Sequence, residues 1–407
     1  MHSKRNYPLL LASQFLGALG DNMILTIILG QLTTRFAKGL ITEQQLGAAN
    51  AVFTTLLFIP YFLFAPVAGF LNDRYAKTSW LAGGNAIKLL GTLIAGGSLM
   101  MGQDWQGVGY FIVGIGSCFY SPAKYGILPE ILPGDRLVKA NGTVEMLTLV
   151  AILSGSITGA QLIDRFAPLT CYAVQIAIYG LSLALNLFMA RTPSDPSVQL
   201  GRSVSEFVSH GKFLLASPRL CRVLLNTTLF WICGAVMKMN FQPWGLKTLG
   251  LKDNTSIALL GLWLSIGIMA GSMAAGQLHQ VGDLRRTRTY GWILGCFVAV
   301  LSLLTSRGSV IGCLVLTGIS AGLFLIPLNA ALQAESPQSK LGKTIAVQNF
   351  LENLAMSVGG GVVMAATKSP GVTAPMIFTG LSVLVFIAVS GLRIPQPGWP
   401  NNKPASI

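Results

Sequence analysis

The sequence predicts an all-α polytopic membrane protein, twelve transmembrane helices in two parallel six-helix repeats. Three observations carry that prediction. Of 407 residues, 52% are hydrophobic and only 10% charged, with a mean hydropathy of +0.62; soluble proteins carry about 25% charged residues. Apolar stretches long enough to cross a hydrocarbon core of about 30 Å recur along nearly the whole chain. The two halves also match each other at an offset of 205–207 residues.

In chain order the first six spans are expected at 8–31, 47–71, 80–101, 106–126, 137–162 and 168–190. The second six are expected at 222–246, 255–279, 289–306, 310–333, 344–366 and 372–393. Lys4 and Arg5 precede the first apolar run as in a signal peptide, but Asp21 interrupts that run and further spans follow, so an uncleaved helix is expected. Residues 1–190 form one six-helix bundle and 222–393 the other, with a tail at 394–407. Between them 191–221 is a polar linker containing Pro193, Pro196 and Pro218. Within it Val204, Phe207, Val208, Phe213 and Leu214 suggest a short amphipathic helix on the membrane surface.

The repeat is visible residue by residue. Pro122 and Glu130 match Pro327 and Glu335, Asn141 and Glu145 match Gln348 and Glu352, and Gly69 matches Gly276. Six crossings per half preserve the topology, so the repeats are parallel and a site is expected between them near the midplane. With the N-terminus in the cytoplasm, 19 Lys and Arg residues fall on that side and seven outside, leaving Lys88 and Lys238 within spans. That bias places both termini in the cytoplasm. The net charge of +14 then reflects loops facing an anionic leaflet, and nucleic acid need not be invoked.

Enzyme chemistry finds no support. The histidines His2, His210 and His279 sit at the terminus or in loops, and the six cysteines show no CxxC spacing, so neither a metal site nor a cofactor is implied. Gly342-Lys343-Thr344 looks like the end of a phosphate-binding loop, but Pro337 stands where its first glycine belongs.

After span 2 the chain reads Gly69-Phe-Leu-Asn-Asp73-Arg74-Tyr-Ala-Lys77. This resembles the G-x-L-x-D-R-x-G-R/K signature of the major facilitator superfamily, with Ala76 in place of the second glycine. Gly69 permits close helix approach, Asp73 can cap or pair across a helix end, and Arg74 and Lys77 can hold the loop at anionic headgroups. A gating role is expected for the four, against a loop that only sets topology.

Charged groups inside apolar spans are the candidate site. A charge near a bilayer centre costs about 2.5–3.5 kcal/mol on insertion scales, so Asp21, Lys88, Glu145, Lys238 and Glu352 should pair or line a polar cavity. At 1.5 Å per residue, Lys88, Glu145 and Glu352 come out roughly 12 Å from the cytoplasmic end, Asp21 roughly 20 Å and Lys238 about 24 Å. Two layers of mixed charge are therefore expected. Asp21 with Asn22 and Lys238 are read as binding groups; Lys88 reads as a partner of a carboxylate, and Glu145 and Glu352 as ties within their own halves or as substrate contacts. Lys124 is either an anchor at the cytoplasmic mouth or an exit residue. Asn141, Asn349 and Asn353 can bond a hydroxyl or join helices.

Longer strings narrow the resemblance. Gln14-Phe-Leu-Gly-Ala-Leu-Gly-Asp21-Asn22, Tyr120-Ser-Pro-Ala-Lys124-Tyr-Gly-Ile-Leu and Leu137-Val-Lys-Ala-Asn141-Gly-x-x-Glu145 lie in the first half. Pro327-Leu-Asn-Ala-x-Leu-Gln and Ile345-Ala-Val-Gln-Asn349-x-x-Glu352-Asn353 lie in the second. Together they resemble the bacterial inner-membrane lysophospholipid transporters. The resemblance implies flipping of lysophospholipids, such as lysophosphatidylethanolamine, from the outer to the inner leaflet. A separate acyltransferase with acyl-carrier-protein synthetase activity would then restore the diacyl lipid. It further implies a monomer whose partners are that substrate and the surrounding lipids. A zwitterionic headgroup would use a lysine for its phosphate and a carboxylate for its ammonium. The alternatives are a proton-coupled drug or small-solute carrier, for which Asp21 would titrate, and a scaffold or sensor without flux.

Overall fold

Inside a bilayer each crossing must satisfy its own backbone N–H and C=O groups, and this chain does so with helices. The computed structural model describes residues 5–42, 59–198, 202–251, 254–369, 371–391 and 393–395, with isolated positions between 43 and 58. Twelve helices of 15 to 32 residues occur among them. In the first half they are α1 (Asn6–Ala37), α2 (Ile59–Arg74), α3 (Lys77–Met100), α4 (Gln106–Gly126), α5 (Leu137–Arg165) and α6 (Pro168–Leu187). The second half holds α7 (Pro218–Lys247), α8 (Asn254–Leu278), α9 (Thr287–Leu301), α10 (Arg307–Glu335), α11 (Leu341–Lys368) and α12 (Ala374–Gly391). Most of the start of the second expected span and the tail beyond Pro395 lie outside the described residues.

Seven of the twelve are individually long and apolar enough to cross a membrane. Of the other five, α2 and α9 are short. The remaining three, α3, α4 and α11, carry Lys88, Lys124 and Glu352 respectively. Each of these side chains lowers the mean hydropathy of its helix.

Helices in lipid gain little from apolar burial and associate by close packing. In the first half α3 packs on α4 and α6, and α1 on α5 and α6; in the second, α8 packs on α10, and α10 and α12 on α9. Glycines make the tightest seams. A Cβ built on Gly322 of α10 would lie 2.6 Å from Ile268 O of α8, and one on Gly84 of α3 would lie 2.8 Å from Gly116 O of α4. Gly322→Ala should therefore cost about 1–3 kcal/mol by overpacking. Gly312→Ala on the same helix, where a Cβ meets nothing within 4 Å, should be neutral or gain up to about 1 kcal/mol of helix propensity. Melting temperatures of the two variants in detergent test the contrast, and equal shifts would refute it.

The halves meet through α2 on α11, α5 on α8, α5 on α10 and α4 on α11. Exchanging the halves converts the α2–α11 pair into α8–α5, as a twofold axis along the membrane normal requires. An apolar cluster straddles this junction, joining Leu10, Tyr120 and Val144 to Ala275, Ile326 and Ala330. The linker contains the expected short helix, Ser203–Ala216. Its His210 and Leu214 are buried against the bundle, while Val204, Val208 and Leu215 remain exposed.

Candidate functional site

Polar residues from both halves converge on one cavity of about 210 Å³. α4 supplies Ser121, Lys124 and Tyr125, and α5 supplies Glu145 and Thr148. From the second half come Asn329 and Gln333 of α10 and Gln348, Asn349, Glu352 and Asn353 of α11. Tyr61, Leu57, Trp231 and Met356 form its less polar wall.

Most of these groups hold one another. Tyr125 donates its hydroxyl to Glu145 Oε2 at 3.4 Å, and Lys124 Nζ lies 4.4 Å from the Tyr125 ring centroid. Gln348 Nε2 donates to Glu352 Oε1 at 2.8 Å and to Asn329 Oδ1 at 2.9 Å. Three bonds in and beside the cavity cross between halves: Asn349 Nδ2 donates to Ser121 Oγ at 3.0 Å, and Asn141 and Gln333 exchange amide bonds of 2.9 and 2.8 Å. The cavity thus presents one cation, two carboxylates and a rim of amides.

Asp21 and Lys88 lie elsewhere, inside the first half. Lys88 Nζ is 2.7 Å from Asp21 Oδ2, Ser117 donates to the same oxygen at 3.2 Å, and Tyr179 donates to Oδ1 at 2.7 Å. Lys88 also faces the rings of Tyr120 at 5.0 Å and Tyr179 at 5.8 Å. The two expected layers of charge are therefore one at this point. α3 begins at Lys77 rather than at residue 80 and α1 at Asn6 rather than at 8, which moves Lys88 about 4.5 Å and Asp21 about 3 Å deeper, and the long lysine side chain spans the roughly 6 Å that remain. Asn22 turns back to its own helix, donating to Ala18 O at 2.9 Å. Asn353 similarly donates to Asn349 O at 2.7 Å while lining the cavity. Lys238 is exposed on α7 and is not among the cavity residues.

On the linker side the signature residues and partners such as Lys343 and Glu206 join α2 to α11 and to the linker helix. Asp73 caps the start of α11: Gly342 N–H donates to its Oδ1 at 2.7 Å and Lys343 N–H to its Oδ2 at 3.3 Å. A carboxylate at a helix N-terminus meets unpaired N–H groups and the positive end of the dipole. Lys343 Nζ stands 3.6 Å from Asp73 and 2.8 Å from Glu206 of the linker helix. Gly69 lets α2 approach: a Cβ there would lie 3.0 Å from Lys343 Cα. Its repeat partner Gly276 meets Lys139 Cα of α5 at 2.8 Å in the same way.

The linker helix braces this junction. His210 Nε2 is 2.9 Å from Thr344 Oγ1, and Phe207 meets Phe350 edge-on at 6.1 Å. Burial, with Lys340 and Lys343 nearby, pushes the imidazole down to about 4, so it bonds Thr344 as a neutral ring. Arg74 and Lys77, read as headgroup anchors, instead tie protein to protein. Arg74 donates to Val198 O and lies over the rings of Phe70 and Tyr75, and Lys77 pairs with Glu130.

The fold and its relatives agree with this geometry. The sequence profile of the Major Facilitator Superfamily matches residues 10–360. The solved structure of the human organic anion transporter MFSD10 aligns with a TM-score of 0.79 at 14% identity, over 96% of this chain and 99% of that one. That of the E. coli fucose:proton symporter FucP gives 0.70 at 14% identity, over 96% and 99%. In sequence, the lysophospholipid transporter LplT of Photorhabdus laumondii is 32% identical over 393 residues, covering 95% of this chain and 94% of its own. LplT of Escherichia coli O157:H7 is 34% identical over the same length and shares. Full-length matches of this kind, on a cavity shared by two parallel repeats, place the chain in the major facilitator superfamily and, within it, in the lysophospholipid transporter family.

Proposed function

We propose that this protein moves lysophospholipids, lysophosphatidylethanolamine among them, from the outer to the inner leaflet of a bacterial inner membrane. Transport proceeds by alternating access between bundles 1–190 and 222–393, with both termini cytoplasmic and the chain acting as a monomer. A separate acyltransferase consumes the product. The observation that carries the reading is the cavity between the halves: Lys124 for the phosphate, Glu145 and Glu352 for the ammonium, and Asn349 and Asn353 for the glycerol hydroxyl. Its 210 Å³ is room for about seven waters at about 30 Å³ each, which suits a headgroup and not an acyl chain. The tail then stays in the bilayer, leaving past Trp231 and Met356 at the cavity's apolar wall.

Uptake of radiolabelled lysophosphatidylethanolamine into spheroplasts co-expressing the acyltransferase tests this reading. Lys124→Gln and Glu145→Gln should each lower uptake about 10- to 100-fold, the worth of a charge-assisted hydrogen bond of about 1.5–3 kcal/mol. Lys238→Gln, exposed and not among the cavity residues, should stay within about twofold of native, since surface changes rarely matter. Uptake should survive collapse of the proton gradient, because a net-neutral zwitterion gains almost nothing from the membrane potential. No uptake by well-expressed native protein would sink the lipid reading and favour a proton-coupled solute carrier.

A further inference from the structure

A second polar cleft, of about 630 Å³, opens on the linker side of the second half, and none of its lining residues belongs to the central cavity. Four arginines line it: Arg222 at the start of α7, Arg285 and Arg288 at the start of α9, and Arg393 just past α12. Among the described residues no carboxylate forms an ion pair with any of them. The two acidic groups nearby are already engaged. Glu335 accepts both a 2.6 Å and a 2.7 Å bond from the Arg219 fork, and Asp283 accepts the backbone N–H of Arg285 at 3.2 Å.

The walls are fixed in place. Arg222 Nη1 donates to Arg393 O at 2.6 Å, and Arg219 Nη1 donates to Pro395 O at 2.5 Å, which pins the chain beyond α12 across one edge. Thr287 and Thr289 of the first turn of α9 add hydroxyls beside the positive end of that helix. Phe324, Val389 and Ile394 form an apolar flank of the same cleft. Beyond it α9 and α12 expose Trp292, Ile293 and Ile387.

Orientation signalling alone does not call for this cluster. The loop before α9 corresponds to the signature loop before α3, since the helix starts Thr287 and Lys77 lie 210 residues apart. There Arg74 bonds Val198 O and Lys77 pairs with Glu130, whereas Arg285 and Arg288 have no ion pair among the described residues. A cationic floor with an apolar flank, set where α7, α9 and α12 end, matches a lipid with its phosphate at the rim and its tails along the helices. A soluble phosphate would have no use for the apolar flank.

We propose that this cleft binds the phosphodiester headgroup of an anionic diacyl phospholipid taken from the leaflet on the linker side. Guanidinium forks suit phosphate oxygens better than point charges do. Native mass spectrometry of the full chain in detergent, titrated with phosphatidylglycerol or with phosphatidylcholine of the same acyl chains, tests it. Phosphatidylglycerol should be retained in preference. Arg285→Gln with Arg288→Gln should weaken its binding about 30-fold, from two surface arginines near an anionic group. Arg285→Lys with Arg288→Lys should fall between native and the Gln pair, keeping the charge but not the forks, and so showing that the Gln pair does not act through misfolding. A large excess of inorganic phosphate should leave the lipid in place. Equal retention of both lipids, unchanged affinity in the Gln pair, or displacement by inorganic phosphate would each overturn the assignment.

Discussion

Lys88→Met is expected to cost the protein about 3–4 kcal/mol of stability. The substitution keeps the length and apolar bulk of the side chain and removes only its charge. Asp21 would then keep its bonds from Tyr179 and Ser117 but lose its cation. Removing one partner of a buried pair typically costs about 3–5 kcal/mol. The bonds it keeps hold the loss near the lower end of that range. Adding Asp21→Asn to Lys88→Met should restore most of the stability, since no charge remains, the amide oxygen can accept from Tyr179, and the amide NH2 can donate to Ser117 Oγ, whose own proton can go to Val113 O. Thermal denaturation in detergent, followed by size-exclusion chromatography, reads both variants. Transport then separates a structural pair from a working one. Asp21 does not line the central cavity, so the double variant should transport within about threefold of native, since a change outside the contacts adds little to them. A double variant that folds but does not transport would return Asp21 to the transport cycle.

The contrast with the sequence reading is instructive at this pair. Charges inside apolar spans were legible one by one because each is costly in lipid. Which charge meets which was not, because depth counted from span ends misplaces a residue by a turn when a helix starts early. Lys238 shows the other failure. Hydropathy places it within a span, but only packing decides its surroundings, and it lies exposed two turns beyond Trp231, outside the cavity lining. The repeat did better. Its Glu145–Glu352 match put both carboxylates at one level, and the structure brings both to the same cavity. Asn329 and Gln333 lie within the string Pro327-Leu-Asn-Ala-x-Leu-Gln, so their position was signalled although their role was not. Gly342-Lys343-Thr344 was set aside as a broken phosphate loop, yet it provides the N–H groups that receive Asp73. Both uses rest on the same physics, N–H groups at a helix start offered to an oxygen anion; here the anion is a side chain on α2.

Asp73→Ala should unlock that junction. The cap it removes is worth about 0.5–2 kcal/mol, and the charge at a partly buried helix N-terminus contributes up to about 2 kcal/mol more. Lys343 keeps Glu206 as a partner at 2.8 Å, so its charge is not stranded and the fold should survive. What changes is the balance between closed and open linker sides. A loss of about 2–3 kcal/mol from the closed state alone shifts that balance about 30- to 150-fold. The shift can be read with a thiol at Ser121, which lines the cavity, in a chain otherwise stripped of its cysteines. Ser121→Cys is nearly isosteric, and a membrane-impermeant maleimide added from the linker side should label it at least tenfold faster when Asp73→Ala is present, a shift of about 1.4 kcal/mol or more. Asp73→Asn should fall between native and Asp73→Ala, because an amide oxygen can still accept from Gly342 N–H while the charge is gone. Unchanged labelling in both variants would mean that close packing of Gly69 on Lys343 and of Gly276 on Lys139 holds the linker side shut without the cap.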